Sequence, residues 1–126
     1  MQIITVRNYV DKAEEVIKSL SKSNRGDFKL TTSQLRNLIT LSSDILDETN
    51  AVMGDALTLS LEKKLANLRV QFVYRSGREQ AVKEFTEKSK ALEIIKDIKT
   101  KEDLLLFCRY LEALVAYKKF FDPKDS

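Results

Sequence analysis

Residues 57–73 read LTLSLEKKLANLRVQFV, a segment in which apolar side chains return at intervals of four, four, three and four residues. The side chains in this repeat are Leu57, Leu61, Leu65, Leu68 and Phe72. Because an α-helix turns once in about 3.6 residues, all five fall on one face. Val70 and Val73 fall elsewhere on the helix, which indicates that a second face is buried or meets another protein. The segment predicts a long central helix over about residues 55–75.

The same periodicity predicts four further helices, over about residues 6–20, 31–50, 78–98 and 100–121. Two of them begin with a recognisable cap. Thr31 with Gln34, and Thr100 with Asp103, fit a pattern in which two side chains satisfy free backbone N–H groups at a helix start.

A turn is expected between the third and fourth helices. Gly77 suits a left-handed helix end there, and Ser76 with Glu79 suits a cap for the following helix. The whole sequence has only three glycines and one proline, fewer turn signals than an all-β fold requires. We therefore predict an all-α fold, a compact bundle of about five helices that forms a single domain over residues 1–126.

Charge is unevenly distributed along the chain, whose formal net charge is +3. Residues 55–83 hold six lysines and arginines against three acidic residues, whereas residues 1–54 hold seven of each and residues 84–126 nine of each. The positive excess therefore lies in the middle of the chain. An excess of this size indicates either a solvated helix face or a surface for an anionic partner.

The side chains that most enzymes and metal sites require are missing from the sequence. It has no histidine, a single cysteine and three isolated glycines. These absences argue against histidine acid–base chemistry, Cys/His nucleophiles, zinc sites and glycine-rich phosphate loops. We expect no enzymatic activity, no metal and no cofactor, with Cys108 packed in the core. With no recognisable signal peptide or membrane-spanning run, the expected location is the cytoplasm.

Basic side chains lie along one edge of the central helix. At 100° per residue, Lys64, Gln71 and Arg75 fall within about 20° of a common line, and Arg78 joins them if the helix continues past Gly77. Their stems can lie along the apolar face while the charged groups reach outward to phosphate oxygens. The alternative is that they are ordinary flanking residues of an amphipathic helix.

The last helix combines aromatic and basic side chains. Tyr110 and Tyr117, seven residues apart, stand among cations that include Arg109. Tyrosines in such a setting either stack on nucleic-acid bases or pack against a neighbouring helix. We expect packing for both.

Three stretches, in this order and spacing, resemble one known family. They read KLTTSQLRNL at residues 29–38, QFVYRSGRE at residues 71–79 and FCRYLEALVAYKKF at residues 107–120. Together they are similar to the small subunit of type III-A CRISPR–Cas effector complexes, also called Csm interference complexes.

The resemblance implies a helical-bundle subunit without an active site of its own. Several copies stack beside the guide-bearing backbone subunits and line the channel that holds guide RNA paired to target RNA. They contact RNA through basic residues without reading its sequence, as expected where any guide must be accepted. The RNA-binding residues implied for this chain are Lys29, Arg36, Lys64, Arg69, Arg75, Arg78 and Lys119.

The implied partners are guide RNA, target RNA, other subunits of the complex and further copies of the chain, with no membrane. Val70 and Val73 would serve the contact between copies. Two other functions stay open. A helical scaffold or adaptor would bind proteins without direct RNA contact. A stand-alone dimeric regulator or toxin-type protein would bind nucleic acid.

Overall fold

Residues 3–125, the part of the chain that this computed structural model describes, form six α-helices. In chain order they are α1 Tyr9–Ser19, α2 Thr32–Ala51, α3 Leu59–Arg78, α4 Gln80–Ser89, α5 Ala91–Asp97 and α6 Lys101–Phe121. The connection between α1 and α2 is closed by one antiparallel bridge between Lys22 and Phe28. The predicted all-α fold class is confirmed.

One face of α3 lies at the centre of the core, as its spacing predicts. Leu61, Leu68 and Phe72 are fully buried, and Leu65 is almost so. α3 packs against α2 and α4, while α6 packs against α1 and α2. Leu57 is the exception, because it precedes the helix: the Thr58 hydroxyl accepts from the N–H of Leu61 at 3.1 Å and starts α3 there.

The predicted capping box at Thr31 and Gln34 is confirmed, and the cap candidates Thr100 and Asp103 form a second one. At the start of α2, the N–H of Gln34 donates to Thr31 Oγ1 at 3.2 Å, and the N–H of Thr31 donates to Gln34 Oε1 at 3.0 Å. At the start of α6, Thr100 and Asp103 exchange the same pair of bonds at 3.1 and 3.3 Å. These local bonds fix where two of the longest helices begin.

The first helix begins at Tyr9 rather than at Val6. Thr5 and Asn8 form a turn in which each backbone N–H donates to the other side chain, at 2.7 and 3.2 Å. This turn stands in front of the helix and leaves Val6 exposed. Farther along, Ala13 and Ile17 are fully buried against α6 and α4.

The turn predicted at Gly77 is wrong. α3 continues through Gly77 to Arg78, and Glu79 alone is extended, with φ −135° and ψ 116°. No side chain caps α4 at Glu79. The Ser76 hydroxyl instead donates to Thr86 Oγ1 at 2.9 Å, which ties the end of α3 to the middle of α4.

The predicted fourth helix is divided in two, which gives six helices rather than about five. Lys90 adopts the left-handed conformation, with φ 59° and ψ 31°, between α4 and α5. Its N–H donates to the carbonyls of Glu87 and Thr86, which ends α4. The prediction failed here because a left-handed helix end is usually a glycine.

Candidate nucleic-acid interface

The carboxyl-terminal end of α3 carries two arginines on one continuous helix. Arg75 is half-buried and Arg78 exposed, and both lie in the last turn. Positive charge is favoured there, because the last carbonyls of a helix carry partial negative charge. Among residues 3–125, no carboxylate forms an ion pair with either guanidinium. Both arginines therefore keep a charge that an external anion can use.

Arg75 is oriented by an amide of α2. With the side-chain oxygen of Asn37 turned toward the guanidinium, it accepts from Arg75 Nε at 3.3 Å and from Nη2 at 3.2 Å. In this orientation the same oxygen lies 3.2 Å from the side-chain amide of Gln71, whose nitrogen can donate to it when that amide is turned likewise. Because an amide carries no net charge, this contact positions Arg75 without neutralising it.

Lys64 is differently placed, at the other end of the seam between α2 and α3. Its Nζ lies 2.7 Å from a carboxylate oxygen of Asp44 and 2.7 Å from one of Glu48. The hydrogen bond that Lys64 donates to Asp44 is the main cause that raises the pKa of Lys64, and the bond that Lys64 donates to Glu48 is the main cause that lowers the pKa of Glu48. Two carboxylates thus already neutralise this candidate RNA-binding cation.

Arg36 and Arg69 occupy separate surfaces. Arg36 is exposed on α2, one residue before Asn37, and so lies at the same end of the molecule as Arg75. Arg69 is exposed on α3 but stands about 140° around the helix from Lys64. The structure therefore places Arg36 at the same end of the molecule as Arg75. Arg69 lies away from the edge of α3 that carries Lys64 and Arg75.

Lys29 and Lys119 lie near the start of α2, beside the last residues of the chain. Lys29 is exposed two residues before the Thr31 cap. Lys119 Nζ donates to the carbonyls of Pro123 at 3.1 Å and of Asp125 at 3.4 Å. The Lys119 ammonium group thus already donates hydrogen bonds to two backbone carbonyls of the same chain. Both lysines are exposed to solvent.

Sequence reasoning missed three residues beside the two arginines. Lys83 and Gln80, both exposed at the start of α4, line a groove that Arg78 also lines. Tyr74 is 52% exposed; its hydroxyl accepts from Arg78 Nη1 at 3.2 Å, and its ring centroid lies 5.6 Å from the guanidinium. The charge excess of residues 55–83 included Lys83, but only the chain reversal at Glu79 brings it to the groove that Arg78 lines.

The start of α4 adds a further anion-accepting feature to this region. The first N–H groups of a helix have no partner within the helix and carry partial positive charge. At α4 no side chain caps them. The end of α3 carries Arg75 and Arg78, and the first turn of α4 carries Lys83, next to helix N–H groups that no side chain within residues 3–125 caps. We call this set the α3–α4 cationic corner.

The two tyrosines of α6, Tyr110 and Tyr117, pack against other side chains. Tyr110 is buried, and its hydroxyl donates to the carbonyl of Ser89 at 2.9 Å. Tyr117 is half-buried and stacks on Phe121, with 6.0 Å between ring centroids. Burial raises the pKa of both Tyr110 and Cys108 to about 12. The expected packing of Tyr110, Tyr117 and Cys108 is confirmed.

An apolar ridge covers the outer face of α3. It consists of Ala66, Val70, Val73 and Tyr74, with Val70 and Val73 each more than half exposed. On another face, an apolar cleft of about 350 Å³ lies between α2 and α6, lined by side chains that include Leu35, Ile39 and Val115. The second apolar face of α3 is therefore not buried within the chain.

No cluster of three or more potential metal ligands occurs in the described range 3–125. Within the same range, no helix combines the length and the apolar character that a membrane span requires. The fold and the cationic corner define a class: a small helical-bundle protein that, within residues 3–125, carries a cluster of cations without carboxylate partners at one end of its central helix.

Comparison with known proteins identifies the family to which the chain belongs. The family model for Csm2 of type III-A matches residues 4–124. The chain is 50% identical over 125 residues to the CRISPR system Cms protein Csm2 of Streptococcus thermophilus, covering 99% of this chain and all of that protein. The protein of the same name from Mycobacterium tuberculosis (strain CDC 1551 / Oshkosh) is 50% identical over 120 residues, which cover 94% of this chain and 95% of that protein. The one from Enterococcus italicus is 40% identical over 129 residues, which cover 94% and 90%. The chain belongs to the Csm2 family of type III-A CRISPR systems, and the resemblance found in the three stretches is confirmed.

Proposed function

We propose that this chain is a non-catalytic, multi-copy subunit of a type III-A CRISPR–Cas ribonucleoprotein complex that acts in antiviral defence in the cytoplasm. It lines the channel that holds guide RNA paired to target RNA and contacts the RNA backbone without reading sequence. Family membership supports the assignment to the complex. The observation that supports the RNA contact is the α3–α4 cationic corner, where three cations have no carboxylate partner and the first N–H groups of α4 no side-chain cap within residues 3–125.

This corner suits phosphates better than bases. A guanidinium can donate two parallel hydrogen bonds to phosphate oxygens, and backbone N–H groups at a helix start favour the same ligand. Phosphate contacts position a strand but carry no sequence information. A subunit that must accept any guide needs contacts of this kind.

The other proposed RNA-binding residues differ in what must move before they can act. Arg36, Arg69 and Lys29 are exposed and need no rearrangement. Lys64 must leave Asp44 and Glu48, and Lys119 must leave two backbone carbonyls. We therefore place Arg75, Arg78 and Arg36 first among the RNA contacts, with Lys64 and Lys119 last.

Other subunits and further copies of the chain are the proposed protein partners. The α3 ridge is the surface proposed for a neighbouring copy, because Val70 and Val73 expose apolar area that the chain itself leaves uncovered. The ridge shares Tyr74 with the surroundings of Arg78. Contacts between copies would thus lie directly beside the RNA contacts.

The RNA contact is tested by the salt dependence of binding. For Arg75→Ala combined with Arg78→Ala, we expect RNA affinity to fall about tenfold or more. The slope of log affinity against log salt should shrink by about 1.5, because two phosphate contacts are lost. Filter binding or fluorescence anisotropy on the assembled complex measures both. Arg109→Ala is the matched control, since it removes a cation that is paired with Glu112 on α6.

Equal RNA retention by the double variant and the control would show that this corner is not the RNA surface. A complex whose assembly is insensitive to salt and whose α3 never crosslinks to RNA would favour the alternative, a helical scaffold without direct RNA contact. That alternative draws on the α3 ridge, which suits a protein partner.

A further inference from the structure

We propose that the groove between α3, α4 and α5 receives the base of one unpaired nucleotide from the bound RNA strand. This inference rests on the proposed function, since it adds a specific ligand to the RNA surface at the α3–α4 cationic corner. The groove has a volume of about 530 Å³, within the range of roughly 300–1,000 Å³ that is usual for small-ligand sites.

The lining of the groove matches the parts of a nucleotide. Leu92, together with the side of Val73 that faces the groove rather than the α3 ridge, supplies an apolar surface for the face of a base. Arg78 and Lys83 supply positive charge for the phosphate, and no carboxylate among residues 3–125 forms an ion pair with either one. The groove therefore combines the two kinds of contact that a nucleotide makes, an apolar contact with its base and an ionic contact with its phosphate.

The remaining polar groups suit the edge of a base. Gln80 offers both a donor and an acceptor, and the Glu87 carboxylate offers acceptors only. A carboxylate repels phosphate but accepts N–H donors from the amino groups of adenine, guanine or cytosine. Glu87 therefore favours a base on its side of the groove, with the phosphate directed toward Arg78 and Lys83.

Arg78 is already oriented for such a ligand. Its guanidinium lies over the Tyr74 ring and donates to the Tyr74 hydroxyl, which restricts a long flexible side chain. The groove lies beside Arg78, so the phosphate of an entering nucleotide meets a side chain whose conformation is already restricted.

Only an unpaired nucleotide fits this description. In a paired A-form helix the bases are stacked inside and the strand presents sugars and phosphates. A base must leave the stack to enter a concave site, which costs little where it is already unpaired. We thus expect the groove to distinguish RNA with an extruded base from RNA without one.

The test compares two RNA duplexes of equal length, one fully paired and one with a single unpaired adenosine. The full-length protein should bind the bulged duplex about tenfold more tightly at low salt. Gly77→Leu should abolish that preference while the affinity for the paired duplex stays within about twofold. Gly77 lies in the groove wall, its added Cβ would meet nothing within 4 Å, and the change leaves the charge unaltered. Asn50→Leu places the same apolar side chain at an exposed position on α2 and serves as the control.

A second measurement uses the unaltered protein, so that it does not depend on the folding of a variant. A photoreactive 4-thiouridine at the bulge should crosslink to the peptide that spans residues 73–92. Crosslinks elsewhere, or a bulge preference that Gly77→Leu retains, would overturn the groove assignment. Salt-dependent binding of both duplexes with equal affinity would overturn it as well, while leaving the proposed function intact. If neither duplex bound, the proposed function itself would fail.

Discussion

At the scale of single residues, Lys118 is a lysine that can be buried because two carboxylates pair with it. Lysine is rarely fully buried unless it is paired, yet Lys118 is only 2% exposed on the apolar side of α6. Its Nζ lies 2.8 Å from Asp125 and 3.3 Å from Asp122, and 5.5 Å from the centroid of the Phe28 ring. Asp125 also accepts from the N–H of Thr32 at 2.8 Å. The end of the chain is thereby fastened to the start of α2.

Asp125→Asn should lower stability in a pH-dependent way. The hydrogen bond from Lys118 is the main cause that holds the pKa of Asp125 below its ordinary value of 3.8. A carboxylate with a lowered pKa stabilises the folded state above its ordinary pKa and loses that contribution as pH falls below it. At pH 7 we expect a loss of about 1 kcal/mol, because the carboxylate is partly exposed, which lowers Tm by about 4 °C.

Thermal unfolding between pH 3 and pH 7 measures this effect. The difference in Tm between the unaltered protein and Asp125→Asn should shrink as the pH falls below about 4. Asp47→Asn, which changes an exposed carboxylate on α2, should show no such pH-dependent difference. A constant difference at all pH values would mean that the ionised Asp125 carboxylate does not carry the effect.

Among the secondary-structure elements, the break between α4 and α5 is the least expected. Lys90 holds a left-handed conformation that most side chains avoid, because Cβ approaches the following carbonyl oxygen. The break lets the buried side chains of both helices, such as Phe85 and Ile95, face one core. Packing on both sides thus compensates for a local conformational cost.

Lys90→Gly should stabilise the protein. Glycine adopts the left-handed conformation without the Cβ contact, so the free energy of unfolding should rise by about 1 kcal/mol. Urea denaturation followed by circular dichroism measures it. Lys90→Ala is the matched control, since alanine keeps the Cβ and should give no comparable gain. Destabilisation by glycine beyond that seen with alanine would show that no strain is relieved at this position.

Across the whole molecule, the two uncovered apolar surfaces lie on different faces. The α3 ridge lies on the outer face of α3, and the cleft lies between α2 and α6. Contact between unlike surfaces of identical chains is heterologous, so it can be repeated from copy to copy without closing a dimer. This arrangement suits the multi-copy assembly proposed above.

Val70→Glu should reduce the number of copies that assemble while leaving the fold intact. Val70 is 59% exposed, so a charge there costs little in the isolated chain but would be buried unpaired in a contact between copies. Native mass spectrometry of the reconstituted complex should show fewer copies per assembly. Val10→Glu alters an exposed valine on α1 and should leave the copy number unchanged. An unchanged copy number with Val70→Glu would exclude the ridge as this contact.

Local interactions made much of the fold predictable. The apolar repeat of Leu61, Leu65, Leu68 and Phe72 and the caps at Thr31 and Thr100 depend on residues no more than four positions apart, and the structure confirms them. The continuation of α3 past Gly77 and the left-handed Lys90 were not predictable in this way. Packing against α4 and the core, rather than residue preference, decides both.

The sequence also predicted which basic residues lie along one edge of α3. It did not predict which of them are already paired with a carboxylate. Lys64 and Arg75 lie on one edge of α3, as their spacing predicts. Asp44 and Glu48, twenty and sixteen positions before Lys64, neutralise it, whereas the neutral Asn37 only orients Arg75. The face of a helix on which a residue lies follows from the geometry of that helix alone. The group that pairs with a charged side chain depends on which other helix packs beside it. Only the antiparallel packing of α2 on α3, and the break at Glu79 after which Lys83 follows, therefore determined which of these cations lie beside a carboxylate and which do not.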